Sequence, residues 1–226
     1  MHAKITEDPN LRDRSFVFQD RVEAGRLLAE NLRDYSNKEN VLLFAIPNGG
    51  VPVGNAVSQR LNIPLDVLIV RKVKIPWNTE AGFGAIVWDG ETILNEELVE
   101  RLGLTEQEID DSIMETKRTI KDRLKKFRGN TPMPALEGKV VILIDDGLAS
   151  GFTMMAAARF VRKRNPEKIV VAVPTASPSA LELLSLEVDE IVCLNIRTKE
   201  SFAVAEAYKN WFDLTDEEAV NIIRKN

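Results

Sequence analysis

Asp145 and Asp146 are the residues of this sequence best placed to do chemistry. They follow an apolar run, Val140 to Ile144, and precede a turn of small residues from Gly147 to Gly151. Five consecutive apolar residues suit a strand covered on both faces, as in a parallel sheet, so the carboxylates should stand at its carboxyl end. The small turn lets a ligand approach the backbone. Thr153 is expected to cap a helix running through Met154, Ala157, Ala158 and Val161. N–H groups at a helix start attract anions. A phosphate cradle beside two carboxylates suits a ligand that carries phosphate together with sugar hydroxyls or a hard cation. The plain alternative is an ordinary strand-turn-helix unit with a solvated acidic turn.

A second segment has the same layout. Val41 to Ile46 reads as a buried strand running into Pro47-Asn48-Gly49-Gly50-Val51-Pro52-Val53-Gly54, with a helix through Ala56, Val57 and Leu61 beyond it. Adjacent glycines suit a tight turn that presents N–H groups to an anion. Both loops are then expected at the carboxyl ends of parallel strands, where open α/β sheets bind their ligands. Arg71, Lys72 and Lys74 follow the next strand, Leu65 to Val70, and could add positive charge.

The segment from Val140 to Thr153 resembles the phosphoribosyl pyrophosphate signature of type I phosphoribosyltransferases: apolar residues, two acids, a short loop, then small or hydroxylated residues before a helix. Phe18 to Gly25, Glu80 to Ala85 and Phe202 to Phe212 resemble further blocks of a group of such proteins with little functional assignment. The resemblance implies that Asp145 and Asp146 hold the ribose hydroxyls. It implies that the loop from Gly147 and Leu148 through Ala149, Ser150, Gly151, Phe152 and Thr153 wraps the 5-phosphate. Asn48, Gly49 and Gly50 would grip pyrophosphate, in a loop that often contains a cis peptide, helped by Arg71, Lys74 and a catalytic Lys72. Tyr208 and Phe212 would offer ring surface to a base.

The implied reaction moves a 5-phosphoribosyl group from phosphoribosyl pyrophosphate to a nitrogen nucleophile such as a nucleobase, with Mg2+ held largely by substrate near Asp145 and Asp146. Two departures stand out. Ala149 occupies a place where many purine-specific members carry an acid, and Asn48 stands where the nearest relatives of the loop carry arginine. Both favour the alternative of a regulatory protein that binds phosphoribosyl pyrophosphate or a nucleotide without turnover.

The remaining elements give the frame. Strands near 41–46, 65–70, 140–144, 168–173 and 189–194, with helices between most of them, predict an α/β fold: a doubly wound, mainly parallel five-stranded sheet with helices on both faces. Asp20 and Glu23 form a capping-box pattern ahead of Ala24, Leu27, Leu28 and Leu32. An insertion at about 73–130 is expected to hold a mobile loop at 73–84, a hairpin turning at Asp89-Gly90, and helices at 96–102 and 105–127. The stripe Ile109, Ile113, Ile120, Leu124 and Phe127 could meet the core or a second subunit. Residues 197–226 should form a small hood, and the whole chain, 1–226, one domain.

Composition narrows the function classes. The chain has 226 residues, is 44% hydrophobic and carries a net charge of -5, which suits one core and argues against broad nucleic-acid binding. The basic residues at 117–128, Arg123 among them, are interleaved with acids and read as a solvated helix face. Cys193 is the only cysteine and His2 the only histidine, so an intrachain disulfide is excluded, and a serine-histidine triad, a cysteine-histidine pair and a multi-histidine zinc site are not expected. Cys193 sits in an apolar run and reads as a buried thiol. His2 is placed in a mobile terminus. No apolar run of membrane-spanning length occurs and the start is polar, so the expected setting is the cytoplasm.

Overall fold

A computed structural model describes residues 2–199 and 202–225, with the side chains of Thr79 and Glu80 left out. In chain order it runs β1 (Lys4–Thr6), α1 (Arg21–Asn31), β2 (Val41–Ala45), α2 (Gly50–Leu61), β3 (Leu65–Val67), β4 (Val70–Ile75), β5 (Asn78–Val87) and β6 (Thr92–Leu94). It continues with α3 (Glu96–Leu102), α4 (Glu106–Arg128), β7 (Val140–Ile144), α5 (Phe152–Arg162), β8 (Lys168–Ala176), α6 (Pro178–Ser185), β9 (Glu190–Ile196) and α7 (Asp216–Arg224). One sheet has the order β1-β9-β8-β7-β2-β3, and every neighbouring pair in it is parallel.

Alternation along the central strands explains the two covered faces. On β7, Val140, Ile142 and Ile144 join Leu28 of α1 and Val53 and Val57 of α2 in one core. Val141 and Leu143, pointing the other way, join Met154, Ala157 and Phe160 of α5 and Leu181 of α6 in another. All five β7 side chains are buried, so the uninterrupted apolar run is what a strand between two helical layers requires.

The sheet has six strands rather than the expected five. The sixth, β1, comes from the terminus read as mobile: Lys4 to Thr6 pair with Glu190 to Val192 of β9. Ahead of it, the Ala3 N–H donates to the Ser185 carbonyl at 2.8 Å, and His2 Nδ1 lies 3.1 Å from Ser185 Oγ. Three residues with polar flanks carry too little pattern to read as a strand.

The expected strand 65–70 is divided. After Val67 the chain leaves the parallel sheet, and β4, β5 and β6 form a separate antiparallel sheet. Residues 73–84, read as a mobile loop, are mostly the arms of the β4–β5 hairpin, with register shifts on either side of Lys74. The Asp89-Gly90 turn falls where expected, with Gly90 at φ +87°. Thr105 and Glu108 close a reciprocal capping box at the start of α4. The stripe of α4 turns towards the chain's own core: Ile120 and Phe127 are buried, and Ile109, Ile113 and Leu124 pack beside Val73, Ile75, Phe83 and Val220. Arg123 is 5% exposed, so it does not belong to the solvated face on which it was placed.

No helix among the described residues is long and apolar enough to cross a membrane. The Cys193 thiol is fully buried, and burial pushes its pKa up to about 12, as an inert core thiol requires.

Candidate active site

Two loops and a carboxylate pair meet at the carboxyl edge of β2 and β7. The first loop leaves β2 through a cis Pro47–Asn48 peptide. Ile46 N–H donates to the Ile144 carbonyl at 2.8 Å and Gly50 N–H to the Ile46 carbonyl at 3.1 Å. The N–H groups of Asn48 and Gly49 donate to nothing among the described residues. Asn48 itself is held from two distant parts of the chain. Its amide donates to the Leu214 carbonyl at 2.8 Å, and its Oδ1 accepts from the Arg123 guanidinium. Arg123 is ion-paired with Asp216 at 2.9 Å. The positive charge beside Asn48 therefore comes from α4, whereas Arg71, Lys72 and Lys74 line a separate cleft between β4 and α4.

Asp145 and Asp146 follow β7 and are half-buried. A side chain on Gly49 would place its Cβ 1.9 Å from Asp146 Oδ2, so the close approach of loop and carboxylate requires glycine at this point. Asp146 Oδ2 accepts from Arg21 Nε at 2.8 Å. Arg21 is 6% exposed, donates also to the Phe212 carbonyl at 2.8 Å, and lies 3.9 Å from the centroid of the Trp211 ring. Asp145 is held well above the ordinary carboxylate range by burial and by the charge of Asp146. Asp146 is raised by burial as well, with Arg21 acting against the shift. Such a pair is receptive to hydroxyl donors or to a cation.

The second loop joins β7 to α5. It is tied to β8 through Leu148 N–H to the Thr175 carbonyl and Ser177 N–H to the Leu148 carbonyl, both at 3.0 Å, and through Ser177 Oγ to the Ala149 carbonyl at 2.6 Å. Gly151 at φ +73° is the N-cap of α5 and no side chain caps that end. Thr153 lies inside the first turn rather than at the cap position expected for it. Phe152 N–H reaches only Ser150 Oγ, at 3.5 Å, while the N–H groups of Ala149, Ser150, Gly151 and Thr153 donate to nothing among the described residues. Ala149 and Ser150 are exposed. The result is an uncapped helix start with open donors, the arrangement that binds phosphate.

The aromatic residues do not all serve as expected. Tyr208 is 1% exposed, packs against Phe18 and Trp211, and donates its hydroxyl to the Asp146 carbonyl at 2.5 Å. Burial keeps this phenol protonated. It supports the acidic turn from beneath and offers no face to a ligand. Phe212 keeps an exposed ring, at 57%, with its centroid 5.9 Å from the Arg21 guanidinium, while its carbonyl accepts from Arg21. The expected hood includes Glu200 and Ser201, which lie outside the described residues. On its near side a cavity of about 330 Å³ is lined by Ala149, Ser177, Pro178, Ser179, Thr198, Lys199 and Phe202.

Arg21, Arg123 and Ser177 were not among the expected site residues. Arg21 directly follows the Asp20 cap, which the pattern did mark, but nothing in its neighbourhood points to Asp146. Arg123 could have been suspected from its place between Ile120, Leu124 and Phe127 on the apolar stripe.

The chain belongs to the family defined by the phosphoribosyl transferase domain, whose profile matches residues 19–210. Among its relatives, a Mycobacterium tuberculosis H37Rv protein provisionally named a phosphoribosyl transferase is 36% identical over 204 residues, covering 90% of this chain and 46% of its own length. The chain thus spans about half the length of that relative. The adenine phosphoribosyltransferase of Marinobacter nauticus is 26% identical over 163 residues, 72% of this chain and 71% of that one. Among solved structures, TT1426 from Thermus thermophilus superposes with a TM-score of 0.75 at 35% identity, covering 92% of this chain and 98% of that chain.

Proposed function

We propose that the chain transfers a 5-phosphoribosyl group from phosphoribosyl pyrophosphate to a nitrogen nucleophile, releasing pyrophosphate. The observation that carries this reading is the pairing of two donor-rich loops on either side of one carboxylate pair. Open N–H groups at 149–153 suit the 5-phosphate, those at Asn48 and Gly49 suit pyrophosphate, and Asp145 with Asp146 lies between them for the ribose hydroxyls.

The chain's part in the reaction is positioning and electrostatics. Loss of pyrophosphate leaves positive character on the sugar, which two neighbouring carboxylates stabilise, while fixed N–H donors receive the charge growing on the leaving group. Arg123 braces the leaving-group loop through Asn48 and brings a cation to it, partly offset by Asp216. We therefore assign to Arg123 the supporting role that the sequence suggested for Lys72. Arg21 orients Asp146 and acts against the burial that raises its pKa.

Magnesium fits this site as a cation held mainly by substrate. The two carboxylates stand together, and no group of three or more His, Cys, Asp or Glu side chains able to hold a metal occurs among the described residues. Bound there with the substrate, the ion would neutralise pyrophosphate oxygens.

The acceptor is assigned to the cavity of about 330 Å³ beside Ala149, at the small end of the roughly 300–1,000 Å³ typical of small-molecule sites. Among the described residues its lining has hydroxyls, the Lys199 ammonium and the Phe202 ring, and no carboxylate. With Ala149 unable to take a proton, the nucleophile should carry an available lone pair on a neutral nitrogen. The same lack of an acid favours a second reading, a sensor that binds phosphoribosyl pyrophosphate without turnover. A screen of bases, amines and amides with phosphoribosyl pyrophosphate and magnesium, read by pyrophosphate release, decides between them. Release with at least one acceptor is expected; tight binding with none would favour the sensor.

A further inference from the structure

The groove between α1 and α2 has no part in the proposed transfer reaction. Its volume is about 390 Å³, within the roughly 300–1,000 Å³ of small-molecule sites. The lining includes Arg26 and Glu30 of α1 and Asn55, Ala56, Gln59 and Arg60 of α2. Residues four apart on a helix share a face, so Arg26 with Glu30 and Asn55 with Gln59 form its two walls. Glu30 is already engaged: Arg60 donates Nε and Nη2 to its Oε1 at 3.3 and 3.1 Å, and Arg33 pairs with its other oxygen. Arg26 is left without a hydrogen bond or ion pair among the described residues. Asn55 is the unexplained group. Its Oδ1 is buried and accepts from nothing among the described residues, although buried polar atoms are nearly always paired.

We propose that this groove binds a nucleoside monophosphate whose base carries an amino group, adenosine monophosphate being the simplest that fits. The free Arg26 guanidinium suits a phosphate, which it can take through two parallel N–H donors. An asparagine amide matches the adenine edge, accepting from the amino group and donating to N7, so the base supplies the donor that Asn55 Oδ1 lacks. Ala56 adds apolar surface to the lining. A lone phosphate would leave Asn55 unsatisfied and most of the groove empty. The position of the groove gives the binding a consequence. α1 begins at Arg21, which holds Asp146, and α2 begins at Gly50, at the end of the 47–50 loop. Beside the groove the two helices meet closely: a Cβ on Gly25 would lie 2.5 Å from the Val53 carbonyl oxygen. A ligand bridging Arg26 and Asn55 therefore clasps both sides of the candidate active site from outside it. The binding itself does not rest on the transferase reading.

The test is a titration with adenosine monophosphate in the presence of excess ribose 5-phosphate, following backbone and side-chain amide NMR signals. Saturable shifts are expected at Arg26 and at the side-chain amides of Asn55 and Gln59, with affinity at least about tenfold weaker in Arg26→Gln and in Asn55→Ala. Arg26 is exposed and Asn55 half-buried, so both variants should fold. N6,N6-dimethyladenosine monophosphate keeps the phosphate and loses both amino hydrogens. It should bind the wild type at least about tenfold more weakly than adenosine monophosphate does, and Asn55→Ala should no longer tell the two apart. Shifts confined to 48–50 and 145–153, equal affinity of the wild type for the two nucleotides, unchanged affinity in both variants, or no saturation would overturn the proposal. So would inorganic phosphate binding as tightly as the nucleotide. Ribose 5-phosphate is read at 149–153 in the same spectra, and its failure to bind would count against the transferase reading alone.

Discussion

The two loops of the candidate site do similar work and are held in different ways. The loop at 147–151 is fixed by its own neighbourhood: backbone bonds to β8, a hydroxyl from Ser177, and a left-handed glycine that starts α5. The loop at 47–50 is fixed from afar, by Arg123 in the insertion and Leu214 before the last helix. A phosphate cradle built from local backbone needs only a short stretch of suitable residues. The loop proposed to receive the departing group is instead braced by elements separated by most of the chain, so its integrity should depend on the whole fold.

That contrast can be broken at several points. Arg123→Leu should have the largest effect on stability, because it takes from Asp216 its nearer partner, leaving Lys126 at 3.7 Å, and releases Asn48. Removing one partner of a buried ion pair costs about 3–5 kcal/mol, and the partial exposure of Asp216, 19%, places the loss near the lower end. In a domain of this size that is a fall in Tm of roughly 6 to 12 °C, which calorimetry would detect; a change within about 2 °C would show that the brace is not structural.

Arg21→Gln comes next. It removes the charge-assisted contact to Asp146, worth about 1.5–3 kcal/mol, and the stacking on Trp211, while the glutamine amide can still donate to the Phe212 carbonyl. Urea unfolding should show a loss of about 2 kcal/mol, together with weaker ribose 5-phosphate binding.

Gly151→Val tests the local loop. A β-branched residue at φ +73° costs about 1–2 kcal/mol, and its Cβ would lie 3.0 Å from Ala180. Stability should fall modestly while ribose 5-phosphate binding, followed by calorimetry, collapses. Normal binding in the folded variant would give this loop another role.

The smallest effect has the clearest sign. The folded-state pKa of Asp145 is raised, so its contribution to stability is complete below the unfolded carboxylate pKa of about 3.9 and is lost as pH rises through the folded value. Asp145→Asn removes that loss. The variant should match the wild type near the acid end of its stable range and exceed it in Tm at neutral pH, while binding substrate less well. Parallel melting curves across pH would refute the burial and repulsion assigned to this carboxylate.

The same contrast explains what the sequence revealed. Asp145, Asp146 and the glycine at 151 were legible because their functions depend on adjacent residues: an apolar strand before, a helix after, small residues between. The family resemblance fixed the parallel sheet and both loops. Arg123 and Arg21 were not legible as site residues, since each acts across a fold that pattern does not supply, and an arginine on a charged helix resembles its solvated neighbours. Tyr208 was correctly brought near the site but given the wrong task, because aromatic composition cannot tell a ring that stacks on a ligand from one buried beneath the acidic turn. The hairpin at 73–84 was missed as strand because Pro76, Asn78, Gly82 and Gly84 have turn chemistry, and two of those four residues sit within paired arms at positions where a side chain would crowd Lys72, Val73, Ile93 or Leu94.

The central claim is that the carboxylate pair between the two loops holds the ribose of phosphoribosyl pyrophosphate. Calorimetric titration of that ligand with magnesium, comparing wild type with the Asp145→Asn, Asp146→Asn double variant, tests it most directly. Contacts to charged groups are worth about 1.5–3 kcal/mol each, so the folded double variant should bind at least about a hundredfold more weakly. Equal affinity in the two proteins would contradict the assignment.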